Sequence, residues 1–166
     1  MKAFVTDPYK ILDLNLNTCT VADLSFKSDF KLKATRDDFI HAIVAWFDIG
    51  FEACHKPVRF STGPQARYTH WKQTVFYIKD PVIIQVHSYQ LQSNPVQQGE
   101  VVEGRLACVP NTRNRRDLDI AIWYRFHGAQ QTLDSGKQDG LIGNFYTMYV
   151  TPASLLLSSF FVLAHV

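Results

Sequence analysis

Thr69, His70 and Trp71 stand in a row where a loop meets an apolar run, inside "FSTGPQARYTHWKQTVFY" at 60–77. An imidazole titrates near neutral pH, so beside a carboxylate it can hold or pass a proton. An indole beside it offers a large apolar face with one polar N–H, which suits either a pocket wall or core packing. Side by side at the mouth of a β element, the two residues read either as pocket residues reaching for a substrate or as packing at the rim of a β domain. Other chemistry-bearing groups are thinner. Cys54-His55 pairs a thiol with an imidazole, but zinc needs two further ligands, and none follows at finger-like spacing. His41 sits on the apolar parity of its segment, where an imidazole is more often buried and hydrogen-bonded than catalytic. Cys19, Cys54 and Cys108 are odd in number, widely spaced and without a CxxC, which fits a reducing compartment better than a disulfide framework.

The chain that must position these groups has 166 residues, enough for one domain with a real core. A hydrophobic content of 46% excludes disorder of the whole chain. A net charge of +2 argues against a nucleic-acid footprint. The one basic cluster, "RNRR" at Arg113–Arg116, follows Pro110-Asn111 and reads as a solvated hairpin tip rather than as an anion or localisation site. The opening "MKAFVTDPYKILDL" carries Asp7, Pro8 and Asp13 and has no apolar core of signal-peptide length.

Alternation sets the elements. Residues 18–36 place Phe30, Leu32 and Ala34 against Lys31, Lys33 and Thr35, which predicts two short strands split near Ser28-Asp29. In 37–56 the first half is apolar on both parities and the second half has a wet parity, Asp48, Gly50 and Glu52. A long strand that starts buried and emerges at a surface explains this. A helix over 37–47, capped by Asp37-Asp38, is the rival, and the β-branched and aromatic content favours the strand. Residues 56–68 read as a loop, and 70–78 as a strand with Trp71, Gln73, Val75 and Tyr77 on one face. Segments 99–110 and 117–128 form a hairpin across Asn111–Arg116. The sum is an all-β fold, an antiparallel barrel or sandwich.

Three stretches, "DDFIHAIVAWFDIGFEACHK", "FSTGPQARYTHWKQTVFYIKD" and "PNTRNRRDLDI", resemble the C-terminal barrel of the protein arginine methyltransferases, and most of all their type I branch. The likeness runs from about Val5 to Phe126 with one interruption, and Thr69-His70-Trp71 matches the family's THW loop. The resemblance implies a preceding Rossmann-type domain that binds S-adenosylmethionine. A target arginine then enters between the domains, gripped by two acidic residues of a double-E loop. On this resemblance Thr69 sets the loop. His70 hydrogen-bonds an acidic group of the other domain as an auxiliary relay or positioning residue, and Trp71 lines the arginine channel. It further implies asymmetric dimethylation of Arg-Gly-rich proteins or histones, in cytoplasm and nucleus.

The departures from that family set further expectations. The glycines at 50, 63, 99, 104, 128, 136, 140 and 143 never form a G-x-G, and no double-E loop is found. These residues alone are therefore expected to hold no cofactor, no metal and no methyl-transfer activity, as a fragment or truncated isoform would. Residues 1–17 read as a remnant of the dimerisation-arm exit, so homodimerisation through the arm is expected to be lost. Residues 18–135 read as the barrel, with polar, Gln-rich 85–98 as an inserted loop, and 136–166 as an atypical apolar tail. From Leu141 onward the chain has no Asp, Glu, Lys or Arg. Three readings of this tail stand: a non-native ending, an extra strand or helix packed into the barrel, or a membrane helix. The last is weakened by Asn144, Pro152 and Ser158-Ser159 and by the lack of flanking cations. The alternative function is a non-catalytic peptide-binding or decoy module of the same family. Arg59, Arg67 and Lys72 near Trp71 count against it, because they would repel arginine-rich peptides. No nucleic acid and no membrane partner is expected.

Overall fold

A computed structural model describes residues 4–78, 94–96, 98–128, 132–133, 142–148 and 159–165. Its strands are β1 (Tyr9–Asp13), β2 (Phe26–Lys33), β3 (Asp38–Ile40), β4 (Ala42–Phe51), β5 (Val58–Ser61) and β6 (Thr74–Tyr77) in the first half. The second half adds β7 (Asn94–Val96), β8 (Val101–Pro110), β9 (Leu118–His127), β10 (Thr132–Leu133), β11 (Ile142–Met148) and β12 (Ser159–His165). Among the described residues the only helix is a 3-10 turn at Val21–Leu24. Its start is held by Asp23, whose carboxylate accepts from the Thr20 N–H at 2.7 Å and the Thr20 hydroxyl at 2.9 Å.

All pairing is antiparallel. One sheet runs β1-β12-β4-β5 with β6 also on β4; the other runs β10-β9-β8-β2 with β11 on β9; β3 and β7 form a separate ribbon. The all-β reading therefore holds. Inward side chains of both sheets share one core, in which Phe30, Leu32, Ile43, Leu106, Ile122, Tyr124 and Phe126 are fully or almost fully buried. Burying each such side chain stabilises the fold by about 1.5–3 kcal/mol. Gly104 leaves room for this packing, because a Cβ there would strike the Phe30 ring and the Trp123 carbonyl oxygen. Cys108 belongs to the same core, and burial, with Asp119 nearby, pushes its thiol up to about 11.

The elements agree with the pattern where alternation is strong. β4 is a strand and not a helix: it is buried on both faces from Ala42 to Phe47, Asp48 is half-buried, Ile49 is still buried, and Gly50 and Phe51 are exposed. β8 and β9 pair from Val102↔Phe126 to Pro110↔Leu118, with Ile120, Ile122, Tyr124 and Phe126 inward. Three expectations are corrected. β2 runs unbroken through Ser28-Asp29, because Asp29 pairs in register with Arg105 and accepts its guanidinium at 2.6 Å. The loop expected at 56–68 contains β5, which closes a hairpin on Asp48–Phe51. The strand expected at 70–78 shrinks to Thr74–Tyr77, because Trp71 is drawn onto core aromatics instead.

The segment 85–98 lies outside the described residues apart from the β7 backbone and residue 98. Of the tail 136–166, two stretches are described: β11 joins β9, and β12 fits between β1 and β4. Among the described residues no helix is long and apolar enough to cross a membrane.

Candidate functional site

Strand β4 has two partners on one edge. β5 pairs with Asp48–Phe51 and β6 with Ala42–Ala45, which leaves Trp46 and Phe47 without a strand on this edge, while β12 pairs with them on the other. Thr62 fills that gap. Its N–H donates to the Phe47 carbonyl at 3.0 Å. Its hydroxyl accepts from the Phe47 N–H at 3.1 Å and donates to the Phe47 carbonyl at 2.9 Å. At the far end of the excursion the Gln73 amide donates to the Thr62 carbonyl at 2.5 Å. Residue 63 has to be small, since a Cβ there would come within 2.8 Å of Trp46 Nε1. The chain between Thr62 and Gln73 is thus stitched together at its base.

The three candidate residues sit on this loop and touch one another. The Thr69 hydroxyl donates to the Trp71 carbonyl at 3.0 Å, which fixes the turn between them. Trp71 is half-buried and stacks on Phe60 with centroids 5.6 Å apart at 18°. Phe47 meets it edge-on at 6.0 Å and 74°. His70 is exposed, with its ring centroid 3.8 Å from that of Trp71. The pair is therefore an imidazole at the surface, backed by an indole that is itself wedged into the core. Packing and presentation are two aspects of one arrangement. Beside it the Lys72 ammonium lies 4.2 Å over the Tyr68 ring and donates to the Tyr68 hydroxyl at 2.6 Å.

The anchors Phe47, Phe60, Thr62 and Gln73 carry no sequence signal of their own. Phe60 also walls a cleft of about 1090 Å³ formed by Lys10, Asp13–Asn17, Asp48–Cys54 and Arg59–Ser61. Three distant segments build it, so periodicity could not reveal it. Cys54 faces this cleft and His55 is not part of its lining. Among the described residues no three His, Cys, Asp or Glu side chains are placed to hold a metal ion. His41 departs from expectation: its Nδ1 is buried and has no hydrogen-bond partner among the described residues. Next to it, burial would raise the Asp38 carboxyl, but the Phe39 N–H and the Arg36 guanidinium outweigh burial and hold it below its usual range.

A family model described as the arginine methyltransferase oligomerization subdomain matches residues 1–130. The chain belongs to the arginine methyltransferase family. It is 46% identical over 134 residues to protein arginine N-methyltransferase 1 of Schizosaccharomyces pombe, covering 81% of this chain and 36% of that protein. It is 44% identical over 137 residues to protein arginine N-methyltransferase 1 of Caenorhabditis elegans, covering 82% and 34%. The chain thus spans about a third of the length of the curated relatives it matches. Among solved structures it resembles the Trypanosoma brucei PRMT1 enzyme-prozyme heterotetrameric complex with AdoHcy. That likeness has a TM-score of 0.70 at 32% identity, over 87% of this chain and 40% of that one. Arabidopsis thaliana protein arginine methyltransferase 10 shares the fold at 18% identity, with a TM-score of 0.64 over 86% of this chain and 38% of that one. The antiparallel fold described above is accordingly the family's C-terminal barrel, and the matched subdomain is the one named for oligomerization.

Proposed function

We propose that this chain forms the substrate-side barrel of a type I protein arginine N-methyltransferase, and that the loop around Thr69, His70 and Trp71 closes the pocket for the target arginine. The observation that carries this reading is the exposed His70 imidazole seated 3.8 Å from the Trp71 ring in a loop fastened at both ends. S-adenosylmethionine, held by a cofactor-binding half, supplies the methyl group. His70 meets a carboxylate of that half, keeps it aimed at the guanidinium, and shares the proton which the arginine nitrogen gives up. Trp71 walls the channel and keeps His70 from collapsing onto the barrel. Thr69 holds the turn through its bond to the Trp71 carbonyl.

On this reading the barrel alone transfers no methyl group, because His70 has no carboxylate to work with and the donor has no seat. Substrates are arginine-containing proteins, Arg-Gly-rich sequences and histones among them, dimethylated asymmetrically in cytoplasm and nucleus. The test is a chimera in which this chain replaces the barrel of the fission-yeast relative, assayed with labelled S-adenosylmethionine and an Arg-Gly peptide. The chimera is expected to methylate, and His70→Ala to lower kcat by about a hundredfold. Methylation by the chain alone, or full activity in the His70→Ala chimera, would sink the reading.

A further inference from the structure

The loop between β8 and β9 is held by hydrogen bonds among its own residues, and none of these bonds uses an arginine side chain. Its backbone is closed by Asn111 N–H to the Asp117 carbonyl at 2.8 Å and Asp117 N–H to the Asn114 carbonyl at 2.9 Å. The Asn111 side-chain oxygen accepts from the N–H groups of Arg113 at 2.8 Å and Asn114 at 3.1 Å. The Asn114 side-chain oxygen accepts from the Arg116 N–H at 3.2 Å. The nearby carboxylates are engaged by amides: Asn111 donates to both Asp119 oxygens at 2.9 and 3.0 Å, and Asn114 to Asp117 at 3.0 Å. Arg113, Arg115 and Arg116 are exposed, and none has a carboxylate within 4.0 Å among the described residues.

Arginines elsewhere behave differently. Arg36, Arg59, Arg105 and Arg125 are paired with Asp38, Glu52, Asp29 and Glu103. Only Arg67 among the other described arginines resembles the tip residues in lacking a partner. Unpaired guanidinium groups are thus concentrated on one preorganised turn, where binding costs little ordering of the backbone. A guanidinium fork matches a carboxylate in geometry and charge. Residues 110–119 contain no aromatic ring on which a base could stack, and three cations neutralise too few phosphates for tight nucleic-acid binding.

We propose that the β8–β9 tip is a docking surface for an acidic segment of a protein partner, a run of Glu and Asp read by Arg113, Arg115 and Arg116. This surface lies on a different loop from the one carrying His70, so it stands or falls separately from the function proposed above. The test uses the full chain and fluorescence anisotropy with a labelled Glu-Gly repeat peptide, beside an oligouridylate of equal charge. The peptide binds at about 50 mM NaCl and weakens as salt approaches about 300 mM. The R113Q/R115Q/R116Q variant loses affinity by about tenfold or more, while R67Q binds as the parent does. R115E alone, a single exposed change, produces a smaller loss, and melting curves confirm that each variant is folded. Unchanged peptide binding in the triple variant, no binding by the parent at low salt, or tighter binding of the oligouridylate would each overturn the proposal.

Discussion

The loops at 111–117 and 62–73 both leave the sheets of this barrel, and they are held by different physics. The turn at 111–117 is bonded to itself: its donors and acceptors lie within a few residues of one another. The excursion at 62–73 is bonded to the core, through Thr62 on Phe47 and through Trp71 on Phe60 and Phe47. A self-bonded loop keeps its shape when the core is perturbed, and so suits a fixed charge display. A core-bonded loop transmits change in both directions. Whatever engages His70 pulls on Trp71, and whatever loosens β4 or β5 releases His70.

The largest expected effect tests that dependence. Trp71→Ala removes a half-buried indole from two aromatic contacts and should lower unfolding free energy by about 2–4 kcal/mol, read from urea denaturation. A loss well below about 1 kcal/mol would mean that Trp71 only rests on the barrel, and the contrast between the loops would fail. Thr62→Val comes next. It keeps the shape and the Thr62 N–H, but it strips the buried Phe47 N–H of its acceptor. An orphaned buried donor costs about 1–3 kcal/mol. Amide exchange at Phe47 should speed in this variant, and an unchanged rate would show that the stitch does not carry the loop.

The same contrast explains what could be read before the structure. The hairpin turn was legible because its causes are local: alternation brings Ile120, Ile122, Tyr124 and Phe126 inward, and Pro-Asn followed by polar residues marks the link. β4 was legible because its apolar parities change at Asp48. At Ser28-Asp29 the polarity reads as a break, yet β2 continues through it. The residue that keeps Asp29 in the ladder, Arg105, lies 76 positions away. β5 exists through its pairing with Asp48–Phe51, and β6 is short because Phe60 and Phe47 decide where Trp71 goes; both causes lie outside the segments themselves. The types of Thr69, His70 and Trp71 marked them as candidates, and the family resemblance assigned their roles. That the two rings touch, and that four other residues pin the loop, came only from the fold.

The self-bonded turn should yield less. Asn111→Ala deletes the acceptor of two backbone N–H groups and the partner of Asp119, yet the turn is largely exposed and water replaces much of what is lost. The expected cost is about 0.5–1.5 kcal/mol, below that of Thr62→Val although more hydrogen bonds are removed. The ranking is the informative part. If Asn111→Ala were the more damaging, burial would not be what separates the loops.

The smallest effect concerns the sheet that carries the turn. Glu103 on β8 lies between Lys31 and Arg125, each 2.8 Å away, and their hydrogen bonds hold its carboxyl below the usual value of 4.5. A carboxyl whose folded value is depressed stabilises the fold at pH above the unfolded value and stops doing so as pH falls through the folded one. The parent should therefore melt slightly higher than Glu103→Gln at neutral pH, and the gap should close on acidification below about pH 4. The gap should also shrink at high salt, because the trio is partly solvated and screened. Amide exchange should place the loss in β8 and β9 and leave Ala42–Phe47 unmoved, since β4 draws its stability from apolar burial on both faces. If acid loosened β4 first, the two sheets would be coupled through their shared core. The hairpin would then be no more independent of that core than the loop that carries His70.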